Sequence, residues 1–359
     1  MKEYDFALNW SVKSTEDFID TLKNSCQKKD LSFLWIYDDN VREIIRRLES
    51  GELKIKFLLD TEATFNKERD PYTRVCYAVK DAGGVIVNDP DRAKVAVDKS
   101  IMHYELINAG LNTPYSIIVR NWEPKTFKLT DEERKSLGIP FVIKPACGYG
   151  QRGVNVDAQG TIREIARARN FDRGDNFLLQ EKINPIELGG KRAWFRVFHV
   201  FDTIIPCWWN DQTCLYEHVS EEEFRNYHLA PLARIVAKIA DIIPLVWFSS
   251  EIAIDKKFGQ PRFVVIDYVN DQCDMTVKSD DVGGVPDAIV KFTAKCMLEA
   301  AHHLIHKKDI DKEYTVWFRK GKRVQLRGLG DAPEPLVPTP EENQSEKVNH
   351  KKKGKENGT

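Results

Sequence analysis

A lysine followed by a glycine-rich segment is the first group of residues that could do chemistry. Lys144 ends the apolar run PFVIKP, and the next segment, ACGYGQRG, contains Gly148, Gly150 and Gly153. Glycines let backbone N–H groups approach phosphate oxygens closely, and a lysine adds a point charge. The segment has no GK[ST] sequence and no GxGxxG that opens a helix. Taken alone, it is equally consistent with a phosphate-binding loop and with an ordinary hairpin.

Carboxylates inside apolar strands form a second group. Glu251 lies in WFSSEIAID and Asp267 in RFVVIDYV, where an acid is costly unless a cation faces it. Magnesium prefers such oxygen ligands and usually takes one or two carboxylates together with substrate phosphates. Asn270 and Asp271 follow on the same strand. Asp255, in contrast, opens the KKFGQP turn, and we expect it to meet solvent.

Arginines on the preceding strand supply positive charge. Arg192 and Arg196 are four residues apart, so in a strand they share a face with Trp194 and could neutralise phosphate or a developing negative charge. His199 and His218 are predicted to be structural or exposed, and the pair Trp208-Trp209 is predicted to belong to the core.

The elements that must position these residues change character along the chain. Residues 1–97 alternate strands and helices with short connections, which predicts a parallel open sheet. Residues 98–180 indicate a compact α+β unit. Residues 181–330 contain two hairpins, a long helix and a short hairpin that turns at Lys320-Gly321. Residues 331–359 are rich in Pro, Lys, Glu and Asn without an apolar face, which predicts a disordered tail.

Composition excludes several classes of function. The 359 residues carry 54 basic and 55 acidic side chains, so no global charge attracts nucleic acid or an anionic membrane. No signal-peptide pattern follows the N-terminus, and the most apolar stretch, residues 229–248, is interrupted by charges and prolines. The seven cysteines form no CxxC pair, so neither a disulfide framework nor a zinc site is indicated. We expect a cytoplasmic protein without a nucleic-acid or membrane partner.

In their order along the chain, these motifs resemble the ATP-grasp superfamily, in particular D-alanine–D-alanine ligase and glutathione synthetase-like enzymes. The resemblance covers about Val97 to Cys273. It implies an ATP-grasp fold, α/β and α+β, with an N-terminal open-sheet domain. In VDKSIMHYELINAGLNTP, Lys99 matches one phosphate-binding lysine, and Lys144 in FVIKP matches the second. The segment QEKINPIE matches the hinge, with the adenine contacts falling on Gln180, Glu181, Lys182 and Ile183, and the ribose contact on Glu187.

The resemblance also implies a metal site and a catalytic arginine. Glu251, Asp267 and Asn270 match the metal ligands, although one residue too many separates Asp267 from Asn270. Either a β-bulge brings Asn270 inward or Asp271 replaces it. Arg196 matches the arginine of the family's D-x-R-x-F strand, with Trp194 where the acid is expected.

The implied activity uses ATP and Mg²⁺. Most ATP-grasp enzymes phosphorylate a carboxylate and join the acylphosphate to an amine (or a thiol), releasing ADP and phosphate. The substrate would be a small-molecule or peptide carboxylate. Two alternatives stay open at this point: a small-molecule kinase, and a nucleotide-binding scaffold without turnover. Formation of a homo-oligomer also stays open.

Overall fold

A computed structural model describes residues 1–10, 16–67, 69–257, 259–305, 313–318 and 322–329 of the chain. The tail predicted over residues 331–359 lies outside the described residues, as does the turn predicted at Lys320-Gly321. Within the described part, three sheets carry the architecture, together with a short two-stranded ribbon.

The N-terminal sheet is parallel, with strand order β2-β1-β3-β4, as the sequence predicts. Asp70 and Asp89 begin two of its helices, since each carboxylate accepts backbone N–H groups ahead of a proline at the first helical position. The elements are β1 (Lys2–Asn9), α1 (Glu16–Lys28), β2 (Phe33–Ile36), α2 (Val41–Glu49), β3 (Leu53–Asp60), α3 (Pro71–Asp81), β4 (Val85–Val87) and α4 (Pro90–Ala96).

Strand β1 and helix α1 were not predicted. Three charged residues, Lys2, Glu3 and Asp5, hide the apolar character of the strand, but its last four residues are buried. β1 pairs with both β2 and β3 and therefore lies inside the sheet.

The middle portion forms an antiparallel sheet with strand order β5-β8-β6-β7. It places Lys144 near the end of a buried strand, immediately before the glycine-rich loop. The elements are α5 (Lys99–Asn108), β5 (Ser116–Val119), α6 (Asp131–Leu137), β6 (Phe141–Pro145), β7 (Asn155–Ala158), α7 (Ile162–Ala168) and β8 (Phe177–Gln180).

The largest sheet has seven strands, with β15-β14-β11-β12-β16-β17 in order and β13 paired to β12. A two-stranded ribbon, β9 (Glu187–Leu188) and β10 (Lys191–Arg192), precedes it. The elements are β11 (Trp194–Val200), β12 (Thr203–Asn210), β13 (Leu215–His218), α8 (Glu221–Asn226), α9 (Ala230–Ile242), β14 (Trp247–Lys257), β15 (Gln260–Asn270), α10 (Asp287–Ile305), β16 (Thr315–Phe318) and β17 (Lys322–Gln325), with a 3₁₀ turn at Leu326–Leu329.

Alternation along these strands divides the core between the two faces of the large sheet. Phe195 and Val197 pack in one cluster with α9, whereas Phe198 packs in another with residues of α10 and β1. Trp208 and Trp209 join opposite clusters and are both buried, which confirms their structural role. None of the helices in the described ranges is long and apolar enough to cross a membrane.

Candidate functional site

Lys99 reaches the site from the first turn of α5. Asp98 caps this helix by accepting the backbone N–H groups of Ser100 at 2.8 Å and Ile101 at 3.3 Å. The Lys99 ammonium donates to the carbonyl of Gly148 at 2.9 Å and lies 3.4 Å from Asp267 Oδ1. This lysine therefore joins the glycine-rich loop to the carboxylates of the large sheet.

Lys144 enters the same region from β6. Its ammonium donates to the carbonyl of Ile266 at 2.9 Å and lies 5.6 Å from the ring centre of Tyr268. The side chain is buried. Burial lowers the pKa of Lys144 to about 8, against the opposing effect of the nearby Asp267 carboxylate. The two lysines predicted from separate motifs are thus brought to neighbouring residues of β15.

A row of charged side chains crosses three strands. Arg196 on β11 is paired with Glu251 on β14, and Glu251 is paired with Asp267 on β15. Arg196 donates to Glu251, which also accepts the indole N–H of Trp194 at 3.1 Å. Burial alone would lower the pKa of Arg196, but the charge of Glu251 outweighs it and raises that pKa. Arg196 also stacks on Trp209, 4.7 Å from the ring centre.

Asn270 joins this row through a β-bulge. Glu251 pairs with Asp267 and Ser249 pairs with Asn270, so one residue of β14 opposes two residues of β15 between these pairs. Paired residues share a face, and Ser249 and Glu251 are two residues apart, so Asp267 and Asn270 point to the same side. Asp271, in contrast, is buried where the residues that follow the N-terminal sheet meet this strand, and its backbone carbonyl accepts from Asn88 at 3.2 Å.

The side chains of the site carry a net positive charge, which favours the binding of an anion. Lys99, Lys144 and Arg196 contribute three positive charges, against two from Glu251 and Asp267. Burial opposes ionisation of Asp267, but these three cations outweigh it and hold its pKa below the ordinary value. Asp267 Oδ1 is buried and accepts no hydrogen bond from any described residue. The pattern fits a phosphate bound together with Mg²⁺, for which the carboxylates of Glu251 and Asp267 are candidate ligands.

Few side chains of this site could bind a metal ion. In the described part of the chain, no group of three or more His, Cys, Asp or Glu side chains is arranged to hold a metal by itself. Two carboxylates and an amide on one face match instead the way in which Mg²⁺ shares its coordination between protein oxygens and phosphates.

The glycine-rich loop needs its glycines for different reasons. Gly150 and Gly153 have positive φ of 57° and 74°, and a Cβ on Gly153 would lie 2.6 Å from the ring of Phe171. A Cβ on Gly148 would lie 2.4 Å from Pro145. The loop is anchored at its start, where Cys147 N–H donates to Asp175 at 2.8 Å. This geometry keeps the Gly148 carbonyl within reach of Lys99.

The predicted hinge residues lie in the chain segment that connects the four-stranded antiparallel sheet to the large sheet. The Gln180 amide is already used, since it donates to Ser116 at 3.0 Å and to the Tyr268 hydroxyl at 3.1 Å. Glu181 accepts from Lys257 at 3.0 Å, and Lys182 donates to Asp157 at 2.7 Å. Ile183 is buried against Ala253 and Val264, and Glu187 is exposed on the β9–β10 ribbon. Their nucleotide contacts stay predictions.

Two expectations were wrong. Asp255 does not meet solvent: it is buried and forms two hydrogen bonds with the Arg262 guanidinium, at 2.8 and 2.9 Å, because β14 and β15 extend past it. Arg192 does not share a strand with Arg196. It belongs to the β9–β10 ribbon and pairs with Asp211 at 2.8 Å.

A buried polar network under Lys144 was not found from the sequence. His103 Nδ1 and the Tyr268 hydroxyl are 2.7 Å apart, and Gln180 donates to the same hydroxyl. Burial, with a smaller effect of Lys144, lowers the pKa of His103 to about 4, so this ring is neutral near pH 7. A histidine on the inner face of α5 gave no local signal, since its partner is 165 residues away.

Comparison with solved structures identifies the fold. No protein-family model matches the sequence, and no curated protein matches it. Among solved structures, D-alanine–D-alanine ligase from Bacillus anthracis, complexed with ATP, is similar with a TM-score of 0.55 and 14% identity, over 86% of this chain and 99% of that one. The ATP-grasp ligase PsnB, complexed with Mg, ADP and a phosphomimetic variant of its minimal precursor, is similar with a TM-score of 0.54 and 10% identity, over 84% of this chain and 100% of that one. The D-cycloserine synthetase DcsG is similar with a TM-score of 0.54 and 13% identity, over 82% of this chain and 99% of that one. The chain has the ATP-grasp fold, with the mixed α/β and α+β class predicted from its sequence.

Proposed function

We propose that the protein is an ATP-dependent ligase that activates a carboxylate as an acylphosphate and releases ADP and phosphate. The observation that carries this proposal is the convergence of Lys99 and Lys144 on the carboxylate row of the large sheet. Solved ATP-grasp structures with ATP, or with Mg and ADP, support the same use of this fold.

Each group has a role that follows from its charge. Lys99 and Lys144 neutralise the triphosphate, and the glycine-rich loop covers it and excludes water from a reactive anhydride. Glu251, Asp267 and Asn270 would hold Mg²⁺, which would offset the charge of the phosphates. Arg196 stabilises the transferring phosphoryl group or the oxyanion, held in place by Glu251 and Trp209. The hinge, Gln180 to Ile183, and Glu187 would bind the adenosine.

Substrate charge favours a ligase over a kinase that acts on a highly phosphorylated molecule. Such a substrate needs free cations, but most of the basic residues near the site are paired with acids. Lys182 pairs with Asp157. Lys191 pairs with Glu217 and Glu223, and Arg192 pairs with Asp211. The β-bulge that turns Asn270 to the same side as Asp267 supports an active enzyme over a scaffold without turnover, since it would keep the proposed ligand set despite the unusual spacing.

Nucleotide binding and turnover test the proposal separately. Calorimetry with magnesium and a non-hydrolysable ATP analogue should show binding that Lys144→Ala weakens at least about tenfold, because the buried cation is lost. ADP release should then appear with a carboxylate substrate, screened as a panel of small carboxylates and short peptides. Unchanged affinity in a folded Lys144→Ala variant would contradict the site.

A further inference from the structure

A cavity of about 790 Å³ lies along helix α3, in the N-terminal part of the chain. Its walls come from the end of α2, from the segment between β3 and α3, from α3 itself and from Lys94 of α4. None of the lining residues is among those proposed to bind nucleotide or metal. Cavities of this volume are typical of sites for small organic molecules. This cavity is therefore large enough to bind a second ligand.

Three hydrogen-bond donors that line this cavity have no partner among the described residues. The hydroxyl group of Thr73 is buried and unpaired, and the side chains of Asn66 and Lys67 are exposed and make no hydrogen bond or ion pair. Asp70 holds the three residues together, because its Oδ2 accepts the backbone N–H groups of Thr64 at 3.1 Å and Thr73 at 2.7 Å. A buried hydroxyl group without a partner is costly unless a ligand or water completes it. These donors favour a ligand with acceptor oxygens.

The charged side chains of the cavity leave an excess of positive charge. Three cations line it against two acids, namely Lys67, Arg74 and Lys94 against Glu49 and Asp81. Arg74 is paired with Glu49 at 2.5 Å. Lys67 and Lys94, in contrast, form no ion pair in the part of the chain that the structure describes. An anion would supply both the missing charge and the acceptors for the free donors.

Apolar side chains form another part of the lining. Leu48 is 7% exposed and Phe65 is 8% exposed, and both reach the cavity from beside α3. Ala78 and the ring of Tyr77 line it from α3 itself. The Tyr77 hydroxyl group already donates to Asp91 at 2.9 Å, which fixes the orientation of the ring. A ligand with a hydrocarbon or aromatic body would bury apolar surface here.

We propose that the cavity along α3 binds a small organic acid. Its carboxylate accepts hydrogen bonds from Asn66, Lys67 and Thr73, and its apolar body packs against Phe65 and Ala78. This inference goes beyond the proposed ligase function and does not depend on it, since the two sites share no residue.

Ligand-detected NMR titrations of the full chain test the proposal with three probes. 2-Naphthylacetate has both the charge and the apolar body, 2-naphthylacetamide keeps the shape without the charge, and acetate keeps the charge without the body. We expect 2-naphthylacetate to bind about tenfold or more tightly than either of the other two, because only this probe uses both parts of the lining. Equal affinity of the amide or of acetate would overturn the proposal.

Two variants place the probe in the cavity. Lys67→Gln removes the free charge and should weaken binding of 2-naphthylacetate about fivefold or more. Thr73→Val keeps the size of the side chain and removes only the hydroxyl group, so it should weaken binding about threefold or more. Its midpoint of urea denaturation should not fall, because this hydroxyl group has no hydrogen bond to lose within the described residues.

Lys28→Gln is the matched control, since Lys28 is an exposed lysine of α1 that does not line the cavity. It should change the affinity for 2-naphthylacetate by less than about twofold. Full affinity in a folded Lys67→Gln variant, or equal losses in Lys67→Gln and Lys28→Gln, would overturn the proposal.

A titration in the presence of magnesium and the ATP analogue separates the cavity from the nucleotide site. The affinity for 2-naphthylacetate should change by less than about twofold, because the two sites have different walls. Displacement of the probe by the analogue would overturn the proposal. Absence of nucleotide binding, together with binding of 2-naphthylacetate that Lys67→Gln weakens, would overturn the ligase proposal and support the organic-acid site.

Discussion

Asp267 is the residue on which the charges of three elements converge. It lies next to Lys99 of α5, and the charges of Lys144 on β6 and Arg196 on β11 also lower its pKa. Under the proposed function, Asp267→Asn keeps the size of the side chain but removes a charge proposed to hold the metal, so turnover measured as ADP release should fall about a hundredfold or more. Asp91→Asn, on the surface of α4, should change turnover less than about twofold. Similar losses in both variants would refute the assignment of Asp267.

Lys144 makes nucleotide binding sensitive to alkaline pH. Burial depresses its pKa to about 8, so the free protein loses this positive charge as the pH rises through 8. Phosphate binds the protonated form better, so affinity is fully present below pH 8 and should weaken by up to about tenfold per unit above it. Calorimetry of the magnesium-bound ATP analogue from pH 7 to 9.5 measures this change.

The control for that measurement is Lys144→Arg, which keeps its charge over the whole range. Its affinity should be nearly constant with pH, even if it is lower throughout. An equally steep decline in this variant would place the titrating group elsewhere.

At the scale of elements, the β14–β15 hairpin holds the carboxylate row in register. The ion pair between Asp255 and Arg262 joins the two strands of this hairpin, and the two side chains are 10% and 20% exposed. Asp255→Ala leaves a partly buried guanidinium without its main partner and should lower the free energy of unfolding by about 2 kcal/mol. Urea denaturation measures this, and Glu299→Ala, which breaks an exposed pair on α10, should change it by less than about 0.5 kcal/mol.

The glycine-rich loop carries a second prediction at this scale. A methyl group on Gly148 would collide with Pro145 and shift the carbonyl that Lys99 binds. Gly148→Ala should therefore raise the dissociation constant of the ATP analogue about tenfold, by moving both the loop and the lysine. Gly174→Ala is the control, because the added Cβ would meet only ordinary contact with Asp172, at 3.4 Å. Equal affinities in the two variants would show that the loop does not contact nucleotide.

Elements with a strong local signal were predictable from the sequence. The capped helices at Asp70 and Asp89, the strand that ends in Lys144 and the β14–β15 hairpin all follow from turn residues and apolar patterning. Features that depend on distant partners were not predictable. The charged residues of β1 hide its apolar pattern. The burial of Asp255 depends on its ion pair with Arg262 across the hairpin, and the burial of His103 depends on its hydrogen bond with Tyr268. The sequence leaves open whether a β-bulge brings Asn270 inward or Asp271 replaces it, because only the register between β14 and β15 shows which residues share a face with Asp267.

At the scale of the whole molecule, the described sheets surround one region. The N-terminal sheet presents Asn9 and Asp60, the middle sheet presents Lys144, and the large sheet presents Arg196, Glu251 and Asp267. The division into domains at residues 97 and 180 stays a prediction.

Trapping the activated carboxylate tests the central claim most directly. The protein is incubated with ATP, magnesium, hydroxylamine and a panel of carboxylates, and the products are identified by mass spectrometry. Hydroxylamine attacks an acylphosphate and displaces phosphate, so the account predicts a hydroxamate together with ADP and phosphate in equal amounts. Release of AMP and pyrophosphate, or a stable phosphorylated product without hydroxamate, would contradict it.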